Sequence, residues 1–340
     1  MSNRAGYYRN NLIGEAEYKS FVPSPLPLML QMDGELITEL AKAHRMIGML
    51  EGKLSQLPYA ETFISMSICK EALMSSQIEG IRATFEDLLA PSTSDDDAED
   101  AVNNVKAIKA AIRHLDELPV SSRLIRHAHR VLLSGSRGQS KEPGKYRHSQ
   151  NWIGRAGSTL RTAIYVPPNV EDMNAAMSDL EKYINDESDG TDALIKAGLI
   201  HYQFETIHPF LDGNGRIGRL LVVLYLMSRG VLSTPVLCIS YAMKKHQMEY
   251  YEKMGELTYS PCLKAGDSSI NDKCQIALVL LRLLYKLMPQ LVLYLLPHSC
   301  LYHDALRKKD SPTHGYANLS GQGSYNRSCC ISGSTHTSGL

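Results

Sequence analysis

An excess of charge of either sign is absent from this sequence of 340 residues. Lys plus Arg number 36 and Asp plus Glu also number 36, so no overall electrostatic field attracts nucleic acid or an anionic membrane. The first twenty residues contain no apolar run like that of a secretory signal. We therefore expect a cytoplasmic protein whose partners include neither a membrane nor a nucleic acid.

Cysteines are few, and paired cysteine motifs are missing. The seven cysteines form no Cys-x-x-Cys spacing, which argues against both a disulfide framework and a zinc site. Five of them follow residue 258, where the composition shifts towards a tract rich in Ser, Gly, Thr and Asn. We treat residues 259–340 as an atypical tail without an assigned function. Translation out of frame after about Leu257 is the hypothesis for its origin.

Long uninterrupted apolar runs are also missing. A strongly apolar stretch, residues 276–296, contains Arg282, Lys286 and Pro289. Because charges inside a membrane span are poorly tolerated, a buried or misfolded segment is the better interpretation of this stretch.

Helical patterns dominate the rest of the chain, and strand patterns are scarce. Helices are predicted over residues 34–54, 59–79, 98–117, 121–134, 170–186, 191–207 and, after a glycine-rich stretch, up to Gly230. Thr84 can cap a short helix that begins at Phe85. Residues 1–33 are predicted as an extended lead-in, 92–97 as an acidic loop and 159–166 as a short extended ribbon. The predicted fold class is all-α with one small β-hairpin.

Residues 208–219 have the sequence HPFLDGNGRIGR and contain several side chains that can bind ligands or take part in catalysis. Gly213 and Gly215 let backbone N–H groups turn towards one point at the start of the next helix, where the dipole favours an anion. Arg216 and Arg219 are three residues apart, so they share one face of that helix and can bind phosphate oxygens. The pattern predicts a phosphate cradle.

Two further residues of this run offer a metal ligand and a base. Asp212 places a carboxylate at the mouth of the cradle, which suits Mg²⁺ held partly by phosphates and water. His208 titrates near neutrality and can take a proton from an attacking hydroxyl. Together these groups predict the transfer of a phosphorus group from a nucleotide.

The run resembles the signature of the Fic family, HPFx[D/E]GNGRxxR, at every defined position. Residues 143–147, 151–154 and 165–168 are similar to family sequence as well, and the resemblance covers roughly residues 20–258. It implies the Fic fold, a helical bundle with a small β-hairpin flap. The implied organisation is an N-terminal helical region over residues 1–118 and a catalytic core over residues 119–258.

The resemblance also implies an activity and the roles of single residues. Such proteins use Mg²⁺ and transfer AMP from ATP to a Ser, Thr or Tyr hydroxyl of a target protein, or of the enzyme itself. His208 would be the general base, Asp212 the Mg²⁺ ligand and Phe210 an anchor for the loop. Relatives with Lys at the position of Gly215 behave as kinases, so this glycine favours AMP transfer. The nucleotide would be bound by the backbone of Gly213, Asn214 and Gly215 and by the side chains of Arg216 and Arg219.

Two regions outside the run would complete the site. The flap would align a target segment by strand pairing through Thr159, Leu160, Arg161, Thr162, Ala163, Ile164 and Tyr165. Residues 75–80, SSQIEG, resemble the family's inhibitory motif [S/T]xxxE[G/N]. Ser75 and Glu79 lie on one helical face. Glu79 would pair with Arg219, which removes the partner of the γ-phosphate and misaligns ATP.

Alternatives stay open at this stage. Transfer of UMP or phosphocholine, or removal of AMP from a modified target, also fits the signature. A nucleotide-binding regulator without activity fits the complete His208–Arg219 set less well. A homodimer is compatible with the family. His127 and His129 are predicted to lie on an ordinary helix surface, and His201 is predicted to pack in the interior.

Overall fold

Helices form most of the structure and confirm the predicted class. The computed structural model describes residues 6–12, 14–27, 32–90 and 95–252. Within these ranges the α-helices are α1 Gly34–Leu54, α2 Ala60–Ile78, α3 Phe85–Leu89, α4 Asp96–Leu115, α5 Ser122–Leu132, α6 Val170–Asn185, α7 Ala193–Ile207, α8 Asn214–Ser228 and α9 Ile239–Lys245. Two strands, β1 Gly6–Asn11 and β2 Tyr18–Pro23, pair as an antiparallel hairpin. The predicted tail over residues 259–340 and its apolar stretch lie outside the described residues.

Local capping explains why several predicted helix ends are correct. The carboxylate of Asp33 accepts a hydrogen bond from the backbone N–H of Leu36 at 2.8 Å and starts α1. Thr84 and Asp87 bond each other's backbone N–H groups, which makes the capping box that begins α3. Gly80, with a φ of +86°, follows the end of α2. These signals are local in sequence, so they could be predicted.

The acidic segment before α4 is helical for part of its length, which corrects the prediction of a loop up to Asp97. Asp95 is the N-cap, and its carboxylate accepts from the N–H groups of Asp97 and Ala98. Asp96 and Asp97 therefore lie in the first turn, where negative charge is favourable next to the positive end of the helix dipole. Arg137 binds the carboxylates of Asp97 and Asp100 at 2.6 and 2.7 Å.

The small β-hairpin lies at a different place from the predicted ribbon. β1 and β2 fall in the region predicted as an extended lead-in. Residues 159–164 instead form turns, because the N–H of Thr162 bonds the carbonyl of Thr159 at 3.0 Å and its hydroxyl accepts from the Thr159 N–H. In this stretch only Tyr165 makes a β-bridge, to Ile153. The hairpin packs beside it, with Phe21 buried against the Tyr165 ring.

Helices α7 and α8 lie at the centre of the core. Nearly every residue of both helices is buried, and a helix that is apolar all round belongs inside a protein. They pack on each other, with α2, α4, α5, α6 and α9 around them. The loop between α7 and α8 is therefore held at the ends of two fully packed helices. Among the described helices, none combines the length and apolarity required to cross a bilayer.

Candidate active site

The α7–α8 loop, residues 208–213, turns the chain sharply between the two central helices. His208 ends α7 in the left-handed region with a φ of +50°, and its N–H bonds the carbonyl of Phe204 at 3.0 Å. Gly213, with a φ of +77°, begins α8. A side chain at Gly213 would be strained. The loop therefore leads directly into the first turn of α8, whose leading N–H groups have no acceptor within the helix.

The loop is locked from inside by Phe210 and Asn214. The Phe210 ring is fully buried and stacks on the ring of His129, with centroids 3.7 Å apart. The Asn214 amide accepts from the N–H of Phe210 and donates to its carbonyl, both at 2.9 Å. Phe210 therefore anchors the loop as expected. The Asn214 side chain closes the loop on itself, a role that the sequence alone did not indicate.

Arg147 holds the same loop from outside. Its buried guanidinium donates to the backbone carbonyls of His208, Ser149 and Pro168 at 3.0, 3.2 and 2.5 Å. Asn151 adds a bond to the carbonyl of Phe210 at 3.0 Å. Burial lowers the pKa of Arg147 to about 10. Both residues belong to segments that resemble family sequence, but only the fold shows that they support the loop.

His208 carries a neutral imidazole with one nitrogen bonded to the backbone. Its Nδ1 donates to the carbonyl of Glu205 at 3.3 Å, since a carbonyl can only accept. This bond leaves Nε2 as the nitrogen that can receive a proton. Burial, aided by Arg147, lowers the pKa of His208 to about 4, although the carboxylates of Glu79 and Asp212 act in the opposite direction. The ring is therefore uncharged at neutral pH.

Arg216 and Asp212 form the open mouth of the cradle. The Arg216 side chain is buried, yet its Nε and Nη1 find no hydrogen-bond partner in the described part of the chain. Its Nη2 lies 3.7 Å from the Asp212 carboxylate, which is half exposed and accepts from the Gly213 N–H at 2.6 Å. Buried donors without partners are costly and rare in native proteins. They fit a site that receives an anion.

Arg219 is occupied by the end of α2. Its Nε donates to the Ser75 hydroxyl and its Nη2 to the Ser75 carbonyl, both at 2.9 Å. Nη2 also bonds the Glu79 carboxylate at 2.7 Å. Burial alone would raise the pKa of Glu79, but Arg219, followed by Arg216 and His208, outweighs burial and lowers it. Glu79 is thus ionised at neutral pH and lies inside the cluster of site charges.

The glycines of α8 leave room for two carboxyl groups. A Cβ added to Gly215 would overlap the carboxylate of Glu79, and one on Gly218 would overlap the Glu205 carboxyl. Burial raises the pKa of Glu205 to about 8, so this group keeps its proton at neutral pH. Gly215 thus has a structural reason of its own, because only glycine lets Glu79 approach α8 so closely.

Helix α9 holds α2 in this position. The carboxylate of Glu71, buried in α2, accepts from the N–H and the hydroxyl of Ser240. Lys244 donates to the side chain of Gln77, which in turn donates to the carbonyl of Ala83 at 2.7 Å. Lys244 therefore braces the segment that carries Glu79.

Of the other predicted histidines, His201 lies where it was expected and His129 does not. His201 is buried as expected and lies 2.9 Å from the Tyr250 hydroxyl. The prediction for His129 was wrong, because its ring is fully buried and both ring nitrogens are bonded. Burial lowers the pKa of His129 to about 4. Its place on the apolar face of α5, four residues from Ile125 and three from Leu132, was the available signal.

The flap residues lie beside β2 rather than in a ribbon of their own. Tyr165 is buried, and its hydroxyl donates to the carbonyl of Thr206 at 2.6 Å, close to the α7–α8 loop. A cavity of about 460 Å³ separates this segment from β2. Its lining includes Tyr18, Lys19, Leu160, Arg161, Ala163, Ile164 and Tyr165. Among large apolar side chains near it, Trp152, Ile153 and Ile164 are exposed.

The geometry brings the buried guanidinium of Arg216 and the start of α8 together with the neutral imidazole of His208. Two family models match the chain in this region. The model described as Fic/DOC family matches residues 119–226, and the one described as Fic/DOC family N-terminal matches residues 37–114. Together they cover more than half of the chain, and the chain belongs to the Fic/DOC family.

Curated relatives and solved structures agree with this family. The protein adenylyltransferase fic-1 of Caenorhabditis elegans is 33% identical over 138 residues, which are 38% of this chain and 25% of the relative. The protein adenylyltransferase Fic of Drosophila yakuba is 37% identical over 90 residues, 26% of this chain and 16% of the relative. The matches thus span a quarter or less of these relatives' lengths.

The solved structures support the fold. A Fic family protein from Desulfovibrio desulfuricans has a TM-score of 0.59 at 19% identity, covering 83% of this chain and 77% of that one. A Fic-domain signaling protein from Bacteroides thetaiotaomicron has a TM-score of 0.55 at 22% identity, covering 73% of this chain and 95% of that one. At these identities the likeness carries the fold alone.

Proposed function

We propose that this protein is an adenylyltransferase that moves AMP from ATP to a hydroxyl of a protein, including its own. The names of its curated relatives support this reaction. The observation that carries the proposal is the buried guanidinium of Arg216 in the first turn of α8, whose Nε and Nη1 have no hydrogen-bond partner among the described residues. Phosphate oxygens provide the charge and the acceptors that these donors require.

In the proposed reaction the acceptor oxygen attacks the α-phosphorus of ATP. Its bond to phosphorus forms while the bond from phosphorus to the α–β bridging oxygen breaks, and pyrophosphate leaves. Nε2 of His208 takes the hydroxyl proton. The N–H groups of Gly213, Asn214 and Gly215 and the side chain of Arg216 stabilise the charge on the phosphates. Arg219 would hold the γ-phosphate once Glu79 has left.

The residues present fit Mg²⁺ as part of this arrangement. Asp212 is a half-exposed carboxylate at the mouth of the cradle, and Mg²⁺ is usually bound through one or two carboxylates together with phosphates and water. No group of three metal-binding side chains occurs among the described residues, which suits a metal that arrives with the nucleotide. When bound, the ion neutralises phosphate charge.

We also propose that Glu79 inhibits the enzyme by occupying Arg219. The 2.7 Å ion pair and both Ser75 contacts use the face of Arg219 that a γ-phosphate would need. A carboxylate at this point also repels the phosphate. ATP bound beside Glu79 would therefore be displaced from the geometry required for transfer.

The flap is proposed to bind an extended segment of the target in the cavity next to β2. Both backbone groups of Tyr165 bond Ile153, and neighbouring residues of an extended strand face the opposite side. Ile164 lines the cavity next to β2, and no hydrogen bond to its backbone is found within the described ranges. The Phe21 N–H bonds the carbonyl of Val166 at 2.9 Å and closes one end of the cavity.

Replacing Ile164 by proline is expected to weaken target labelling about fivefold, the effect of one lost net hydrogen bond. ATP affinity should not change, because this backbone lies outside the phosphate cradle. Labelling of substrate proteins and equilibrium binding of ATP would be measured in parallel. Ile164→Ala is the matched control, since it shortens the side chain but keeps the N–H. Equal labelling by Ile164→Pro and the parent protein would contradict strand pairing.

Comparison of α-labelled with γ-labelled ATP tests the reaction itself. With Mg²⁺, the Glu79→Gly protein is expected to pass label to protein from the α-position and not from the γ-position. Label from the γ-position would indicate a kinase. Label from α-labelled UTP with none from ATP would favour UMP transfer. Loss of label from a previously AMP-modified protein would favour removal of AMP.

A cytoplasmic location completes the proposal. The two cysteines in the described part of the chain, Cys69 and Cys238, are free thiols, and disulfides are rare in reducing compartments. Self-association is tested on the same labelled protein by following its oligomeric state during the reaction. The same measurement tests whether a change of oligomeric state accompanies the release of α2.

A further inference from the structure

His129 joins three separate parts of the site although it belongs to α5. Its Nε2 donates to the carbonyl of Asp212 at 3.0 Å. Its Nδ1 accepts from the N–H of Gly144 at 2.8 Å. The ring lies parallel to that of Phe210, with an angle of 7° between the planes. Because Nδ1 accepts, the proton must lie on Nε2, and the two bonds fix one tautomer.

The bond from His129 to the Asp212 carbonyl also orients the N–H of Gly213. The C=O of Asp212 and the N–H of Gly213 belong to the same planar trans peptide unit and point in opposite directions. Holding the carbonyl towards α5 therefore turns the Gly213 N–H to the other side, where it meets the Asp212 carboxylate at 2.6 Å. This is the side on which Arg216 lies.

The Asp212–Gly213 peptide needs a contact from another segment to fix its orientation, because glycine does not restrict its own backbone. Gly213 has no side chain to limit its backbone, and its φ of +77° lies in a region that glycine enters and leaves freely. A Cβ on Gly213 would contact the His129 ring at 3.6 Å. The ring thus packs directly on the residue whose N–H opens the anion hole.

We propose that His129 is a positioning residue whose Nε2–H holds the Asp212–Gly213 peptide with the Gly213 N–H and the Asp212 carboxylate facing the nucleotide and its metal. This inference rests on the proposed function. It adds a residue that lies outside the run 208–219. An apolar side chain could fill this place in the core, but it could not hold the carbonyl of Asp212.

Two substitutions in the Glu79→Gly protein test this role. Phenylalanine keeps a ring for stacking but removes both hydrogen bonds, whereas the amide of glutamine keeps one donor and one acceptor. We expect His129→Phe to bind ATP with Mg²⁺ about tenfold more weakly, the effect of losing an oriented hydrogen bond to a charged group. The Mg²⁺ concentration for half-maximal binding should rise as well. His129→Gln should stay within about threefold of the parent.

The measurements are equilibrium ATP binding over a series of Mg²⁺ concentrations, with thermal unfolding to establish the folded fraction. His127→Phe, on the same helix but partly exposed, is the matched control and should bind like the parent. A loss of folded protein alone would change the number of sites and not the affinity of each site.

Parental affinity and Mg²⁺ dependence in folded His129→Phe would overturn the proposal. If His129→Phe does not fold, ATP binding by His129→Gln is the deciding measurement. Parental binding by that variant supports the hydrogen-bond role, and a tenfold loss in the folded protein refutes it. Because binding is read without catalysis, an unlabelled parent protein would refute the proposed AMP transfer and leave this test intact.

Discussion

Replacing Glu79 by glycine is expected to raise the rate of AMP transfer on the order of 100-fold, since a misplacement of about 1 Å can reduce a rate by that much. Glu79 bonds Arg219 at 2.7 Å in the place where a γ-phosphate would bind. The substitution removes both this competition and the repulsion of the phosphate. The position just past α2 tolerates glycine, because helix ends favour it.

The measurement compares label transferred from α-labelled ATP by the wild-type and variant proteins. Glu117→Gly is the matched control, because Glu117 also follows a helix but is exposed and is not among the hydrogen-bond partners of Arg219. Glu79→Gln should give an intermediate rate, since the amide can still accept from Arg219 but carries no charge. Equal transfer by wild type and Glu79→Gly would remove the inhibitory role.

The same substitution should also lower the thermal stability of the protein, and ATP should reverse this loss. Without Glu79, the buried guanidinium of Arg219 keeps only its bonds to Ser75, and an uncompensated buried charge is destabilising. The unfolding temperature of Glu79→Gly should therefore fall in the absence of nucleotide. ATP should restore more of it in the variant than in the wild type, because binding to the folded state adds stability.

Predictions from the sequence succeeded where the determining contacts are close along the chain. Thr84 and Asp87 are three residues apart, and Gly80 directly follows α2, so capping signals place those helix ends. The run from His208 to Arg219 is equally compact. Its glycines and charged residues share one loop and one helix turn, so their proximity could be predicted from the order of residues alone.

Predictions failed where contacts join distant segments. The imidazole of His129 lies against Asp212, 83 residues away, and no local pattern distinguishes that partner from solvent. The β1–β2 hairpin depends on Phe21 packing against Tyr165. The turns of residues 159–164 are an exception, because a local bond between Thr159 and Thr162 outweighs the β-propensity of the sequence.

The contact between Glu79 and Arg219 depends both on local spacing and on the packing of distant segments. The spacing of Ser75 and Glu79 on one helical face follows from the sequence, but the packing of α2 next to α8 does not. Glu71, bonded to Ser240, shows that α9 fixes α2 through a buried polar contact. The resemblance to the family supplied the pairing of Glu79 with Arg219, and the structure places the two groups at bonding distance.

Replacing His208 by alanine is expected to reduce AMP transfer by about 10²- to 10⁴-fold, the usual contribution of a general base. The test uses the Glu79→Gly protein, in which transfer is fast enough to follow the loss. ATP binding should persist, because the phosphates are bound by α8 and its arginines. His127→Ala, a partly exposed histidine of α5, is the control and should keep the parental rate.

The pH dependence gives a second check on the same group. Burial lowers the pKa of His208 to about 4, and only the neutral ring can accept a proton. The kcat/KM of the Glu79→Gly protein, which reports the free enzyme, should therefore keep its His208-dependent part from pH 8 down to about pH 5 and lose it towards pH 4. Removing Glu79 takes away a carboxylate that raises this pKa, so the decline should not move upwards.

An acid limb centred near pH 6.5, the ordinary pKa of histidine, would contradict the buried and neutral His208 of this structure. His208→Ala should lack the limb at pH 4 to 5 altogether, at a uniformly lower rate. If His208→Ala instead keeps the parental rate, another group must accept the hydroxyl proton. Glu205 could not do so at neutral pH, because burial raises its pKa to about 8 and it already holds a proton.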